Sequence, residues 1–151
     1  MVISPDAHLL HADGRYEWTP TRVYAAWMAS MRELAAALPG AESLVLLVGL
    51  PGAGKSTWLQ ANAVEDRVYF DATLTRRADR RVLVKAAQAA DRPVAVVWID
   101  TPLDVCLLRN AERPEGRRVP DEVFVRMRQA LSSTPPTLQE GFREVLRVVS
   151  G

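Results

Sequence analysis

Hydrophobic positions along this chain follow two rhythms. Short apolar runs at residues 2–3, 44–48, 68–70, 94–99 and 145–149, the last interrupted by Arg147, read as buried strands, because they are too brief for helices and rich in β-branched residues. Between them the apolar positions recur every three to four residues. Val23, Trp27, Met31, Leu34 and Leu38 mark a first helix, opened by Thr19 as N-cap and Pro20 at the first helical position. A second helix is expected to run on from Lys55, and a third over residues 77–90. A fourth starts at Thr101-Pro102, with Asp104 in its first turn. A fifth starts at Pro120, with Val123, Met127 and Leu131 on one face.

Continuously apolar strands alternating with helices imply a parallel sheet covered on both faces. The expected fold is therefore α/β: five parallel strands between two helical layers, in a single domain over residues 1–151. No repeat or low-complexity tract interrupts the pattern.

The most specific feature follows the second apolar run. Residues 49–56 read Gly-Leu-Pro-Gly-Ala-Gly-Lys-Ser and match G-x-x-x-x-G-K-[ST] throughout, with Thr57 next. A strand leads in and a helix leads out, as this phosphate-binding loop requires. Its glycines (Gly49, Gly52, Gly54) let backbone N–H groups turn toward phosphates at the positive end of the outgoing helix, with Pro51 and Ala53 between them. Lys55 is placed to reach the β- and γ-phosphates, and the Ser56 hydroxyl to hold Mg²⁺. The expected ligand is ATP with Mg²⁺.

Composition narrows the class. Apolar residues make up 48% of the 151 residues and charged residues 25%, ordinary globular values. One cysteine, Cys106, and two histidines, His8 and His11, argue against a disulfide framework or a structural metal site. No apolar run approaches a membrane span, so a soluble, cytoplasmic protein is expected.

Net charge is +1, which gives no global field for nucleic acid, but its distribution is uneven. Residues 1–48 carry −2 and the remainder +3, with arginines bunched at 76–81 and 109–118. The first bunch reads either as a solvated helix face or as a phosphate grip. The second, from Arg109 to Pro120, lies between two helices and has the composition of a lid whose arginines fold over the γ-phosphate. Arg109 and Arg113 are its candidates for that role. A chain of 151 residues leaves no space for the arms of a motor or a transporter.

At this point a family resemblance emerges. Gly-Leu-Pro-Gly-Ala-Gly-Lys-Ser-Thr-Trp at 49–58 resembles the phosphate loop of the polynucleotide 5′-kinase family. Arg109-Asn110, Arg113, Val119-Pro120 and Met127 resemble its lid and following helix, and Phe70-Asp71-Ala72-Thr73 its strand-end acid. That family's acceptor-side unit belongs after the phosphate-loop helix, where this chain has only about 13 residues. Ser4-Pro5-Asp6 and Gly14-Arg15-Tyr16, followed by the first helix, are similar to that unit but precede the loop. The resemblance thus implies a circularly permuted kinase with residues 1–40 as the acceptor side and 44–151 as the remainder.

It also implies roles. Asp6 would accept the proton of an acceptor hydroxyl, while Asp71 would hold a Mg²⁺-bound water or orient Lys55. Lys55 and Arg113 would stabilise the transferring group. Helix capping is the alternative for both aspartates. Where the family grips the acceptor's phosphate with an arginine three residues after the base, this chain has Leu9; His8 or His11 is the candidate substitute, with a plain surface histidine as the alternative for each. Tyr16 and Trp18 are candidates to contact a nucleobase, whereas Trp58 and Trp98 read as core. Asp100, before Thr101-Pro102, reads as a helix cap.

Three functions remain open. One is ATP-dependent phosphorylation of a nucleic-acid hydroxyl, foremost a polynucleotide 5′-hydroxyl. The others are phosphorylation of a nucleoside, sugar or antibiotic, and nucleotide-dependent regulation without an acceptor. The permuted or transposed acceptor unit places strand 2–4 parallel to, and beside, strand 68–70.

Overall fold

The computed structural model describes residues 1–10 and 13–149; His11, one of the two candidate substitutes above, lies outside them. Five strands form one parallel sheet: β1 (Val2–Ile3), β2 (Ser43–Val48), β3 (Arg67–Asp71), β4 (Val94–Asp100) and β5 (Glu144–Val149), in the order β1-β3-β2-β4-β5. Five helices connect them: α1 (Pro20–Ala37), α2 (Lys55–Asn62), α3 (Arg77–Ala89), α4 (Leu103–Ala111) and α5 (Asp121–Ser133). This is the parallel α/β architecture of P-loop kinases.

Every expected strand is present, with ends moved by one residue or less. Side chains alternate across the central strands as a pleated ladder demands. Leu44, Leu46 and Val48 of β2 join Val68, Phe70, Val94 and Val96 on one face, against Leu34 of α1 and Leu83 of α3. Val45 and Leu47 join Tyr69, Val97 and Ile99 on the other, against Leu59 of α2 and Cys106 of α4. Helix α5 contributes Phe124 to the second cluster and Leu131 to the first.

The N-terminal strand is in the sheet. Val2 pairs with Tyr69 and Ile3 with Phe70, parallel, at the position expected for it. Helix α1 starts where its cap specifies: the Arg22 backbone N–H donates to Thr19 Oγ1 at 3.3 Å.

Two arginine expectations resolve differently. Arg80 is fully buried, which a solvated face or phosphate grip would not allow. Its guanidinium donates to Glu140, to the Leu74 carbonyl at 2.9 Å and to the Thr134 carbonyl at 2.6 Å. It ties the loop after β3 to the segment before β5, and a buried charge is tolerable there because it is paired and its donors are satisfied. Arg76 stays at the surface, paired with Asp79 one helical turn on.

Candidate functional site

The carboxyl ends of β1, β3, β2 and β4 open into one cleft of about 1210 Å³. Open parallel sheets bind ligands at this edge, where successive loops diverge. The phosphate loop leaves β2 there, and its geometry follows from its glycines. Gly52 and Gly54 have φ of +77° and +108°, a left-handed conformation costly for any residue with a Cβ. At Gly49 a Cβ would stand 2.9 Å from the Ile99 carbonyl oxygen, so β4 also requires glycine.

Neighbours hold this loop from three sides. The Gly49 N–H donates to the Thr73 carbonyl at 3.1 Å, binding the loop to the chain after β3. Buried Thr101, just past β4, donates its hydroxyl to the Ala53 carbonyl at 2.7 Å. Arg109 of α4 donates to the Gly52 carbonyl at 2.8 Å. Lys55, first residue of α2, folds back to donate to the Gly49 carbonyl at 2.8 Å. The cradle from Pro51 to Gly54, its lysine and Ser56 beside it line the cleft and fit a triphosphate with Mg²⁺.

Two carboxylates join Lys55. Asp71 ends β3, and Asp6 sits in a short 3₁₀ turn (Pro5–His8) just past β1. Loss of water within the cleft pushes the Asp6 carboxyl above the usual carboxylate range, opposed by the positive charges of Lys55 and Arg113. Desolvation also raises Asp71, with Lys55 opposing and Asp6 reinforcing the shift. Burial lowers Lys55, and the charges of Asp71 and Asp6 work against that lowering. The three groups and Arg113 therefore share one field. Asp71 caps no helix, since α3 begins at Arg77.

The lid runs from the end of α4 to the start of α5, and buried Asn110 clasps its base. Asn110 donates to the Val119 carbonyl at 2.7 Å and accepts the Val119 N–H at 3.0 Å. Along the lid the arginines have separate tasks. Arg109 binds the phosphate loop, and Arg118 donates to the Arg113 carbonyl at 2.8 Å. Arg117 donates to the Gly14 carbonyl at 2.8 Å and lies over the Tyr16 ring, 5.7 Å from its centre. Arg113 lines the cleft and is the lid arginine whose charge reaches both Asp6 and Lys55.

Of the candidate site residues, Asp6, Trp18, Pro51, Gly52, Ala53, Gly54, Lys55, Ser56, Thr57, Asp71, Arg109 and Arg113 line this cleft. Gly49, His8 and Tyr16 do not. The His8 ring pairs with Glu33 of α1 instead, because the 3₁₀ turn directs it toward that helix. Tyr16 supports the wall from behind, its ring 5.5 Å from that of Trp18. Trp58 packs edge-on against Tyr69 in the core, although it also borders the cleft.

The helix-cap reading of Asp100 is corrected. Its carboxylate is held by Arg147 of β5 and Arg128 of α5, and α4 begins after Pro102 without a side-chain cap. Asp104 accepts only the N–H of its neighbour Val105. The sequence marks Thr101 as a helix start and Asn110 as part of the lid, but not the backbone each one holds. Their hydrogen bonds reach backbone 48 and nine residues away, which no local spacing encodes.

Comparison with known families gives one match. Residues 63–134 match a family described as an AAA domain, just under half of the chain. The match starts after the phosphate loop and spans β3 through α5, so loop and match are independent indications. Together with the sheet they support a nucleotide-binding, kinase-like P-loop protein. No curated protein matches the chain. Among the described residues no helix is long and apolar enough to cross a membrane.

Proposed function

We propose that this protein transfers the γ-phosphoryl group of ATP to a hydroxyl held at Asp6. The observation that carries this reading is the shared cleft. A carboxylate from the N-terminal turn lies in the field of the phosphate-loop lysine and of one lid arginine.

The acceptor oxygen attacks the γ-phosphorus in line, its proton passes to Asp6, and the bond to the β–γ bridging oxygen breaks to release ADP. Lys55 and Arg113 oppose the charge spreading over the transferring group. Mg²⁺, when bound at Ser56 and a water held by Asp71, would neutralise phosphate charge. Asp6 is suited to its role because its raised pKa makes it a stronger base than an ordinary aspartate.

In this reading residues 1–40 form the acceptor wall and residues 44–151 the donor side of one kinase domain. The pairing of β1 with β3 supports a transposed acceptor unit. The likeness of loop and lid to polynucleotide 5′-kinases makes a strand's 5′-hydroxyl one acceptor of suitable chemistry. The apolar wall beside Asp6 favours a small-molecule hydroxyl. A regulator without an acceptor would not need a carboxylate at this position. The test is labelled ATP with Mg²⁺, offered to oligonucleotides, nucleosides and water alone. Label on a hydroxyl that disappears with Asp6→Asn supports the reading, and release of inorganic phosphate alone overturns it.

A further inference from the structure

The wall of the cleft contributed by residues 1–40 carries a chemistry that the phosphate machinery does not use. Leu9, Trp18, Val23, Tyr24 and Trp27 line it around Asp6. Trp18 is 46% exposed, and Tyr24 is 68% exposed on the outer turn of α1. Large rings held open at the mouth of a concave site are surfaces for a flat apolar ligand. Trp18 is fixed in place by Tyr16, and Trp27 by an edge-on contact with Phe70 at 5.6 Å.

Outside the phosphate loop and the lid, one cation lines the cleft among the described residues, and it is paired. Arg76, the cleft-lining cation outside the phosphate loop and lid, donates to both carboxylate oxygens of Asp79 at 3.0 and 3.3 Å. Arg15 pairs with Asp13 at 2.9 Å, and Arg22 stands 3.7 Å from Glu17 with its Nε buried and without a hydrogen-bond partner; neither arginine lines the cleft. A nucleic-acid strand carries a phosphate on the same sugar that bears its terminal 5′-hydroxyl, and strands are held chiefly through such phosphates by Lys and Arg. Leu9, which lines this wall, is buried and offers no charge to a phosphate. The cleft is also larger than the roughly 300–1,000 Å³ usual for one ligand, which leaves space for a nucleotide and a second small molecule.

We infer that the hydroxyl accepted at Asp6 belongs to a small, uncharged alcohol with a flat aromatic body, not to the end of a nucleic-acid strand. The inference rests on the transfer reading above and names its substrate class. The ring lies against Trp18 and Tyr24, its hydroxyl points to Asp6, and transfer follows the balance already given: oxygen gains the phosphoryl group, Asp6 takes the proton, ADP leaves.

The experiment compares thymidine, adenosine and 2-phenylethanol with thymidine 3′-monophosphate and a 5′-hydroxyl decathymidylate. Each is offered with labelled ATP, and its binding is read separately by quenching of tryptophan fluorescence. At least one uncharged aromatic alcohol should be phosphorylated with kcat/KM tenfold or more above both anionic probes. Trp18→Ala and Tyr24→Ala should each raise the acceptor KM about tenfold and leave the KM for ATP unchanged. Preferred transfer to the decathymidylate, weakening steeply with salt, overturns the substrate class while transfer itself stands. Binding of the aromatic alcohols without phosphorylation of any probe upholds the pocket's preference and overturns transfer. If no aromatic alcohol binds or reacts, the substrate class is rejected.

Discussion

Ile3 lies in register opposite Phe70 in a parallel ladder, and this pairing sets the geometry of the site. One residue past Phe70 the chain leaves the sheet at Asp71; three past Ile3 it turns at Asp6. Two carboxylates far apart in sequence thereby reach the same edge, on either side of the field of Lys55.

Removing the donor-side charges should stop turnover and keep the fold. Lys55→Ala or Arg113→Ala is expected to lower kcat by about 10²–10³, the usual loss for one preorganised donor. Arg113→Lys should also be poor, since an ammonium cannot reproduce the planar fork. Steady-state kinetics with circular dichroism checks both statements. Full activity in Arg113→Ala with loss in Arg117→Ala or Arg118→Ala would assign the task to a different lid arginine.

Asp6→Asn should separate transfer from nucleotide binding. Asparagine keeps the size but takes no proton at neutral pH, so transfer should fall by about 10²–10⁴. Affinity for ATP should move by less than about tenfold, because the phosphate loop binds independently. Titration calorimetry paired with transfer under saturating ATP distinguishes this from a structural role, in which both properties fall together.

The acid limb of activity should report the same residue. Desolvation raises the Asp6 pKa, so the unprotonated base is lost at a higher pH than for an ordinary aspartate. Activity should therefore decline on acidification above the usual carboxylate range, and in Asp6→Asn the residual rate should lack that limb. A pH profile of kcat/KM measures it. An Asp6→Asn profile with the wild-type limb would assign the titration elsewhere, with Asp71, also raised, as the first alternative.

Thr101→Val should loosen the phosphate loop. It removes the 2.7 Å bond to the Ala53 carbonyl and leaves a buried acceptor unpaired, at a cost of about 1–3 kcal/mol. For a domain of this size that lowers Tm by several degrees, on the order of 2–4 °C per kcal/mol. Thermal unfolding should show this loss, and ATP should bind more weakly. An unchanged Tm would mean that the loop is held without Thr101.

Arg117→Ala should act on the acceptor and spare ATP. It cuts the bond to Gly14 and uncovers the Tyr16 ring behind Trp18. The acceptor KM should rise about tenfold, matching roughly 1.4 kcal/mol, with faster amide exchange at residues 13–18. Unchanged exchange there would show that the lid does not brace this wall.

What was legible in the sequence divides by range. The phosphate loop, the strands and the cap of α1 are written in contiguous residues, and the structure has them at the expected places. The position of β1 beside β3 came from family resemblance, since two residues carry no pairing signal of their own. Long side chains that bind distant backbone left no pattern to read. Arg80 looked like one of several surface arginines until Leu74, Thr134 and Glu140 enclosed it. Asp100 departs from its helix-cap reading, and His8 stands away from the acceptor side, for a related reason. Each is claimed by an ion-pair partner, Glu33 in one case and Arg147 in the other, that only the fold brings near.

The brevity of β1 bears on how the protein folds and diversifies. A ladder of two residue pairs closes a loop spanning more than sixty positions, so its entropy of closure is large against the few contacts it gains. The strands β2, β3, β4 and β5 pair over five or six positions at each junction and should assemble first. The N-terminal segment is then expected to dock late, completing the core with Ile3, Leu34 and Leu38. Sequence drift in that segment would re-address the phosphoryl group to new alcohols while leaving the donor machinery intact.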